Sequence, residues 1–310
     1  MYSYAPTSDF DVLKRGCVVA LGCFDGVHIG HRMLIEKAKS IANEKCLPLA
    51  VYSPESSKGQ AYLTTPDEKK ALLHAYGADA VILADFDEIK DLSAEDFVCQ
   101  ILVKELNCQT AVCGFNFRFG KYAAGDCNTL QHLLADLDRS TIILPACQSQ
   151  GEDVSSTRIR NLLKNADVER ASELLSRPYF VTGKVTKGRQ IGRTLGFPTA
   201  NILFPEGKLI PQAGVYYCRV KTAFGVYGAI CNIGIHPTFD DPAPKPLLEA
   251  NLFDFEADLY DSKVQIELVS FLRPEKRFDS PAILAETVYA DIERAKAMAA
   301  ADPILMKELI

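Results

Sequence analysis

The rhythm of the chain changes near residue 178, and this change divides the sequence into two parts of different fold class. Before it, short apolar runs alternate with amphipathic stretches, beginning with "CVVALGCF" and then "HRMLIEKAKSIANEK", where Leu34, Ala38, Ile41 and Ala42 repeat at helical spacing. "TPDEKKALLHAYG" and "LSAEDFVCQILVKELN" carry helix start signals. Five strands separated by helices predict a parallel sheet covered on both faces, with ligands at the carboxyl ends of its strands.

Beyond residue 178, strand-like runs come one after another with only turns between them. They are "YFVTGKVTKG", "TANILF", "GVYYCRV", "VYGAICNIGI", "LLEANLF" and "KVQIELVSFL". Six such runs predict a small closed antiparallel barrel, and "SPAILAETVYADIERAKAMAA" predicts a terminal helix packed against it. The helical stretch "RIRNLLKNADVERASELLSRPY" links the halves. The expected domains are 1–177, of α/β class, and 178–310, mainly β.

Composition narrows the function classes. The 310 residues are 48% hydrophobic, enough for one or two cores, and the net charge of −6 disfavours nonspecific attraction to nucleic acid or to anionic membranes. Ten cysteines without a CxxC pair predict reduced thiols. The stretch "MYSYAPTSDFDVLKRG" has no apolar h-region, and no later segment offers about 18 uninterrupted apolar residues. We expect a soluble cytoplasmic protein, a monomer or weak homo-oligomer, that binds neither nucleic acid nor membrane.

The stretch "GCFDGVHIGH", residues 22–31, comes directly off the first apolar run and ends where a helix begins. Free N–H groups and the helix dipole attract phosphate there, and His28 and His31 add donors for an oxygen that gains charge in a transition state. Zinc would need further ligands nearby, and GxGxxG and Walker A motifs are absent. A phosphate site is favoured, and an ordinary turn with surface histidines is the alternative.

"SSTRIR", residues 155–160, has hydroxyls that suit a helix start, and Arg158 or Arg160 there would clamp a phosphate through two N–H groups. By itself the pattern favours a plain helix N-cap with solvated arginines. The phosphate interpretation depends on the first motif.

"GKVTKGRQIGRTLGFPTANI", residues 183–202, joins a glycine-rich basic loop to a strand in which Thr199 and Asn201 point to the same side. Their oxygens suit Mg²⁺, which completes its shell with phosphate and water. The alternative is a Gly-Arg turn before a half-buried strand. Glu249 in "LLEANLF" shares its side with Asn251 and Phe253, which favours a pocket over the bulk water that surrounds most strand carboxylates.

These strings together resemble one family. "GCFDGVHIGH" is similar to the HxGH signature of nucleotidyltransferases, in the extended form of bacterial bifunctional riboflavin kinase/FAD synthetases. "LTTPDEK" (63–69), "GFNFRFGK" (114–121) and "SSTRIR" occur in that family's order. "PTAN", "NIGIHPTF", "ADLYDSKV" and "FLRPEKRFDS" resemble its riboflavin kinase module. The matches span about residues 16–292.

The resemblance implies a Rossmann-like domain that adenylylates FMN to FAD and a barrel that phosphorylates riboflavin, with ATP as co-substrate and Mg²⁺ as cofactor. His28 and His31 would stabilise adenylyl transfer, and Glu249 would take the proton of the ribityl 5′-hydroxyl. Thr199 and Asn201 would hold the metal. The residues implied at ATP or its phosphates are Gly22, Phe24, Asp25, Gly26, Gly30, Ser156, Thr157, Arg160, Gly183, Lys187, Gly188 and Arg193. Those implied at flavin are Asn116, Arg118, Arg273, Arg277 and Phe278.

The chain departs from the family pattern at three places. "YSPESS" stands where FDPHP is common, so the histidine contact expected there is not carried over. His236 stands where an arginine is common, and Asp261 replaces a glycine often found after "DLY". Two rival interpretations are an adenylyltransferase with a degenerate barrel and a barrel that only senses flavin. Retention of Thr199, Asn201 and Glu249 speaks against both.

Overall fold

The computed structural model describes residues 12–55, 61–187, 197–238 and 241–307. The chain divides into two compact units, Met1–Ser156 and Thr157–Ile310. The expected boundary at 177/178 stays a prediction. Among the described residues, none of the helices combines the length and the apolar character that crossing a bilayer requires.

The first unit contains the predicted parallel sheet. Its strands are β1 (Cys17–Leu21), β2 (Leu49–Glu55), β3 (Ala80–Asp85), β4 (Cys108–Gly114) and β5 (Ser140–Leu144), and they lie in the order β3-β2-β1-β4-β5. Every residue of β1 is buried, as expected for a central strand covered on both faces. Two apolar clusters cover the sheet, one containing Val19 and Leu102 and the other containing Val18 and Ile35.

Two of the helices between the strands, those after Thr65 and Ser93, begin where the start signals indicate. α1 (Ile29–Glu44) buries Leu34, Ala38, Ile41 and Ala42, which confirms the predicted stripe. The next helices are α2 (Pro66–Ala75), α3 (Phe86–Ile89), α4 (Ala94–Asp96), which continues as a π-helix (Phe97–Glu105), and α5 (Cys127–Ala135). Thr65 and Glu68 form a reciprocal capping box at the start of α2.

The second unit contains a closed six-stranded barrel, which confirms the predicted one. Its strands are β8 (Tyr179–Thr186), β9 (Ala200–Leu203), β10 (Gly214–Thr222), β11 (Gly225–Thr238), β12 (Asp241–Leu252) and β13 (Lys263–Pro274). They lie in the order β10-β11-β12-β9-β8-β13, and all neighbouring pairs are antiparallel. Closure protects the strand edges from pairing with other chains.

Helices flank the barrel in sequence. α6 (Ser156–Lys164) and α7 (Val168–Leu175) precede it, and α8 (Pro281–Ala300) is the predicted terminal helix. Ile292 and Ala295 of α8 pack with Val215 and Ile230 of the barrel. A short hairpin, β6 (Gln148–Ser149) with β7 (Glu152–Asp153), and helices α3 and α9 (Pro303–Lys307) are elements that the sequence did not indicate.

Candidate active sites

The first candidate site lies where the order of the parallel sheet reverses. β1 pairs with β2 on one side and with β4 on the other, so the loops after β1 and β4 leave the carboxyl edge at the switch point of the sheet. The loop after β1 is the "GCFDGVHIGH" turn, and the loop after β4 is "GFNFRFG". The topology therefore places the histidine motif and the loop expected to bind flavin at adjacent strand ends.

The two histidines lie at the start of α1. His28 is the N-cap residue, and its Nδ1 accepts a hydrogen bond from the backbone N–H of His31 at 3.3 Å. Because Nδ1 is the acceptor, the neutral His28 ring carries its proton on Nε2. The two rings stack with centroids 3.6 Å apart. The capping bond thus fixes both the position of His28 and the nitrogen from which it donates.

His31 is held in its neutral form. Burial, together with the neighbouring His28 and the cationic Lys69, lowers the pKa of His31 well below its ordinary value. Its Nδ1 is buried and has no hydrogen-bond partner among the described residues. A neutral ring with an unused nitrogen at a helix N-terminus is prepared to bind an incoming polar group.

Hydrogen bonds from distant segments lock the turn. The Asp25 carboxylate accepts from the backbone N–H groups of Leu63 and Thr64 at 2.9 and 3.1 Å. The Thr64 hydroxyl accepts from the N–H of Gly26 at 3.1 Å, and the Ser156 hydroxyl donates to the Asp25 carbonyl at 2.8 Å. The structure therefore shows the Asp25 side chain tying two loops together, which is a different task from binding phosphate.

The remaining residues expected at phosphate in this turn are described by their burial, backbone conformation and packing. The Phe24 side chain is fully buried, and its backbone is left-handed with φ of +48°. A Cβ on Gly30 would come within 3.2 Å of the Cys147 Cβ and 3.3 Å of the His28 ring, so close packing favours glycine at this position. Gly22 and Gly26 lie in the same turn.

The loop after β4 carries the residues expected to bind flavin in this unit. Asn116 and Arg118 are both exposed, and the Arg118 guanidinium lies 3.7 Å from the Asp126 carboxylate. Phe117 and Phe119 stack beneath the loop with centroids 5.7 Å apart. The loop thus exposes the Asn116 amide and the Arg118 guanidinium to solvent and also contains a stacked pair of phenylalanines.

The second candidate site is assembled by strand register in the barrel. Glu249 on β12 lies directly opposite Asn201 on β9, and on its other side it lies opposite Asn232 on β11. Opposed residues in an antiparallel pair point to the same face with Cβ atoms about 4.5–5.5 Å apart. The structure therefore brings the predicted base and a predicted metal ligand into one row.

Asn201 is oriented by its neighbours and retains an unused oxygen. Its Nδ2 donates to the Thr199 carbonyl at 3.3 Å, while its Oδ1 is buried and has no hydrogen-bond partner among the described residues. Asn201 as a whole is only 4% exposed. An orphaned amide oxygen in a buried position fits a hard cation such as Mg²⁺.

Other predicted residues of the second unit are more scattered. The row that begins at Glu249 continues across the sheet through Asn232 and Val215 to Arg273. The Arg273 guanidinium, however, forms an ion pair with Asp291 of α8 at 2.8 Å. Phe278 lies 5.8 Å below that guanidinium, and Arg277 is exposed.

The residues of α6 and of the basic loop that are expected to bind ATP differ in exposure and packing. Lys187 is exposed just after β8. A Cβ on Gly183 would overlap the Ile202 side chain, which gives this glycine a packing role. Gly188 and Arg193 lie outside the described residues. Thr157 and Arg160 occupy the first two turns of α6, Thr157 exposed and Arg160 half-buried.

Comparisons with known proteins cover both units. A family model described as FAD synthetase matches residues 11–158, and one described as riboflavin kinase matches residues 175–299. The "Bifunctional riboflavin kinase/FMN adenylyltransferase" of Bacillus subtilis is 38% identical over 90% of this chain and 91% of its own length. The protein of the same name from Escherichia coli K12 is 32% identical over 95% of this chain and 93% of its own.

The chain belongs to the bifunctional riboflavin kinase/FMN adenylyltransferase family. A crystal structure titled as a macrolide-efflux protein from Streptococcus pneumoniae is also similar, with a TM-score of 0.82 and 30% identity over 95% of this chain and 96% of that one. Because the matches extend over both units, they speak against a degenerate or merely sensory barrel.

The structure explains one departure from the family pattern. Asp261 has φ of +63°, a left-handed conformation that glycine adopts without strain and that Asp tolerates better than most residues. Its carboxylate pairs with Lys184 at 2.9 Å, and this contact lowers the pKa of Asp261. The side chain of His236 lies outside the described part of the structure.

A buried lysine beneath the first turn was missed from the sequence. The Lys69 side chain is 2% exposed and bonds to the Cys23 carbonyl, to Ser53 and to Glu55. The signal was available, because Lys69 lies four residues before the fully buried Leu73 and so occupies the inner face of α2. Lysine is ordinarily a surface residue, which is why composition alone does not reveal this position.

Proposed function

We propose that the "GCFDGVHIGH" turn is the adenylyl-transfer site for FMN and that the Asn201–Glu249 row is the phosphoryl-transfer site for riboflavin. The observation that carries the proposal is the placement of each residue set: the histidines at a helix N-terminus on the carboxyl edge, and Glu249 opposite an orphaned Asn201 oxygen. The histidine pair lies within the first unit of the chain, and the Asn201–Glu249 row lies within the second.

In the first unit, the turn would receive the ATP phosphates at the N-terminus of α1, where free N–H groups and the helix dipole favour negative charge. The FMN phosphate attacks the α-phosphorus, and pyrophosphate leaves. Donors from His28 and His31 stabilise the oxygens that gain charge in this step, and a capped, buried pair needs little rearrangement to do so. Ser156, Thr157 and Arg160 of the "SSTRIR" motif stay predicted phosphate ligands.

Asn116 and Arg118 are proposed to bind the flavin substrate of adenylyl transfer. Their exposure at the end of β4, next to the end of β1, supports this role. The proposed phosphate contacts of Gly22, Phe24, Gly26 and Gly30 are to backbone N–H groups. For Asp25, the proposed contribution is made through the shape of the turn.

In the second unit, Glu249 is proposed to accept the proton of the riboflavin 5′-hydroxyl as that oxygen attacks the γ-phosphate of ATP. Thr199 and Asn201 are proposed to hold Mg²⁺, which when bound neutralises charge on the ATP phosphates. Gly183, Lys187, Gly188 and Arg193 are proposed at ATP, and Arg273, Arg277 and Phe278 at flavin. The Arg273–Asp291 pair would then position the loop that carries Phe278.

A cytoplasmic location is proposed as well. All ten cysteines are free thiols, which is compatible with a reducing compartment. That the protein is a monomer or weak homo-oligomer, and that it binds neither nucleic acid nor membrane, stay predictions.

Product analysis tests the proposed function. The purified chain is incubated with ATP and Mg²⁺ and either riboflavin or FMN, and the flavins are separated by chromatography. We expect FMN and then FAD from riboflavin, FAD alone from FMN, and neither product after EDTA. Formation of FMN from riboflavin without any FAD would refute the role of the first unit. Formation of FAD from supplied FMN, with no product from riboflavin, would refute that of the second.

A further inference from the structure

A buried ammonium lies directly under the histidine turn. Lys69 Nζ donates to the Cys23 carbonyl at 2.8 Å, contacts Ser53 Oγ at 3.3 Å, and forms a short contact with Glu55 Oε1. These contacts use all three donors of the ammonium. Since the side chain is 2% exposed, the charge depends on its carboxylate partner and not on water.

Two strand residues complete the arrangement from the other side. The Ser53 hydroxyl lies 2.9 Å from the Cys23 carbonyl and 3.0 Å from Glu55 Oε1. Glu55 is 14% exposed, so its charge is also largely removed from solvent. One backbone carbonyl of the turn is therefore held jointly by α2 and by the end of β2.

The Cys23 carbonyl lies at the base of the segment that carries the histidines. Cys23 immediately precedes the left-handed Phe24, and the chain runs from there to the His28 cap. The Lys69 charge is also one of the causes that lower the pKa of His31. The Lys69–Glu55 pair therefore lies against the backbone that leads into the N-terminus of α1.

We propose that Lys69, with its charge balanced by Glu55, is a positioning residue of the adenylyl-transfer site: by fixing the Cys23 carbonyl it aims the turn that carries His28 and His31. The inference rests on the proposed function of the first unit. Displacement of a catalytic group by about 1 Å costs on the order of 100-fold in rate. Loosening the turn should therefore lower kcat for FAD formation more than it raises KM.

The test removes the counter-charge and compares the result with a variant that keeps a carboxylate at the same position. In Glu55→Gln, we expect kcat for FAD formation from FMN to fall about 10- to 100-fold. In Glu55→Asp, a carboxylate is kept at the same position, and we expect most of the wild-type kcat to be retained. Glu36→Gln removes an exposed carboxylate of α1 and serves as the matched control, with unchanged kcat.

The melting temperatures of the variants report whether the first unit is folded, and riboflavin phosphorylation by the same preparations reports the second unit. If Glu55→Gln does not fold, Lys69→Met/Glu55→Leu removes both charges together, and the same 10- to 100-fold loss of kcat is expected from it. Wild-type kcat in Glu55→Gln or in Lys69→Met/Glu55→Leu, or a folded Glu55→Asp protein as impaired as Glu55→Gln, would overturn the inference. If the wild-type chain itself forms no FAD from FMN, the proposed function fails and the inference fails with it.

Discussion

The two candidate sites are built in opposite ways. In the first unit, His28 and His31 are separated by three positions in a single turn, and hydrogen bonds from Leu63, Thr64 and Lys69 hold that turn from behind. In the barrel, Asn201 and Glu249 are 48 positions apart in sequence and meet only because β9 and β12 pair in one register.

The two constructions should tolerate different perturbations. A turn is displaced when any of its tethers is lost, so the first site should be sensitive to substitutions that never touch substrate. A row of strand residues is held by the whole barrel, so the second site should be sensitive mainly to the residues in the row itself.

The largest effect is expected at Glu249. Glu249→Gln keeps the shape of the side chain but removes the proton acceptor, and general-base catalysis contributes about 10²- to 10⁴-fold. We expect a loss of this size in the rate of FMN formation from riboflavin, measured by chromatography. Glu256→Gln, an exposed loop carboxylate, is the matched control. A loss of less than a few-fold would remove Glu249 from its role and weaken the contrast between the sites.

A somewhat smaller effect is expected at His31. Loss of one donor to a transition-state oxygen typically costs about 10²- to 10³-fold in kcat, and we expect His31→Ala to lower FAD formation from FMN to that extent. His132→Ala, an exposed histidine on α5, should leave the rate unchanged. If the two alanine variants behaved alike, the turn would be an ordinary helix start with surface histidines.

The same contrast explains how much of the molecule could be predicted from the sequence. The first site could be found because its histidines, glycines and helix start are contiguous, and the chemistry of a helix N-terminus needs only local structure. The parallel sheet and the barrel could be predicted from periodicity and from the change of rhythm near residue 178. Lys69 was missed because helix periodicity shows that it faces inward but does not show which carbonyl it meets.

Contacts between residues far apart in sequence form the part of the structure that could not be predicted from the sequence. The row joining Asn201, Glu249 and Asn232 depends on the registers of three strands, and a shift of one residue would turn these side chains to the opposite face. Likewise, the ion pair between Arg273 and Asp291 joins β13 to α8, and no local sequence pattern predicts it. The expected roles of Asn201 as a metal ligand and of Glu249 as a base came together from the family resemblance, because spacing alone does not connect these two residues.

Fragments test the contrast at the level of whole units. A fragment of residues 178–310 is predicted to fold and to phosphorylate riboflavin in a Mg²⁺-dependent way. However, α7 packs against β8 and β13, and Leu163 of α6 accepts a hydrogen bond from Gln212. Loss of the buried Val168 and Leu175 at about 2 kcal/mol each should lower the melting temperature, relative to residues 157–310, by about 10 °C.

Circular dichroism and the riboflavin assay measure both fragments side by side. Equal melting temperatures would show that α6 and α7 contribute nothing to the barrel. An unfolded shorter fragment would refute the boundary at 177/178.

The smallest effect is expected from a buried hydrogen bond that involves no residue proposed for either candidate site. The Tyr217 hydroxyl donates to Asp302 at 2.9 Å, and Asp302 also binds the buried Arg219 at 3.1 Å. Tyr217→Phe should lower the free energy of unfolding by about 1 kcal/mol, with unchanged rates of FMN and FAD formation. Denaturant titration measures the free energy of unfolding. A change of more than a few-fold in the rate of FMN or FAD formation would contradict the view that Tyr217 supports the fold and not the sites.

The presence of two separate sites in one chain is tested by a crossed assay of Glu249→Gln and His31→Ala, each supplied with riboflavin or with FMN under ATP and Mg²⁺. Glu249→Gln is expected to convert FMN to FAD at the wild-type rate while forming almost no FMN from riboflavin. His31→Ala is expected to convert riboflavin to FMN at the wild-type rate while forming almost no FAD. Loss of both reactions in either folded variant would contradict the assignment of one reaction to each unit.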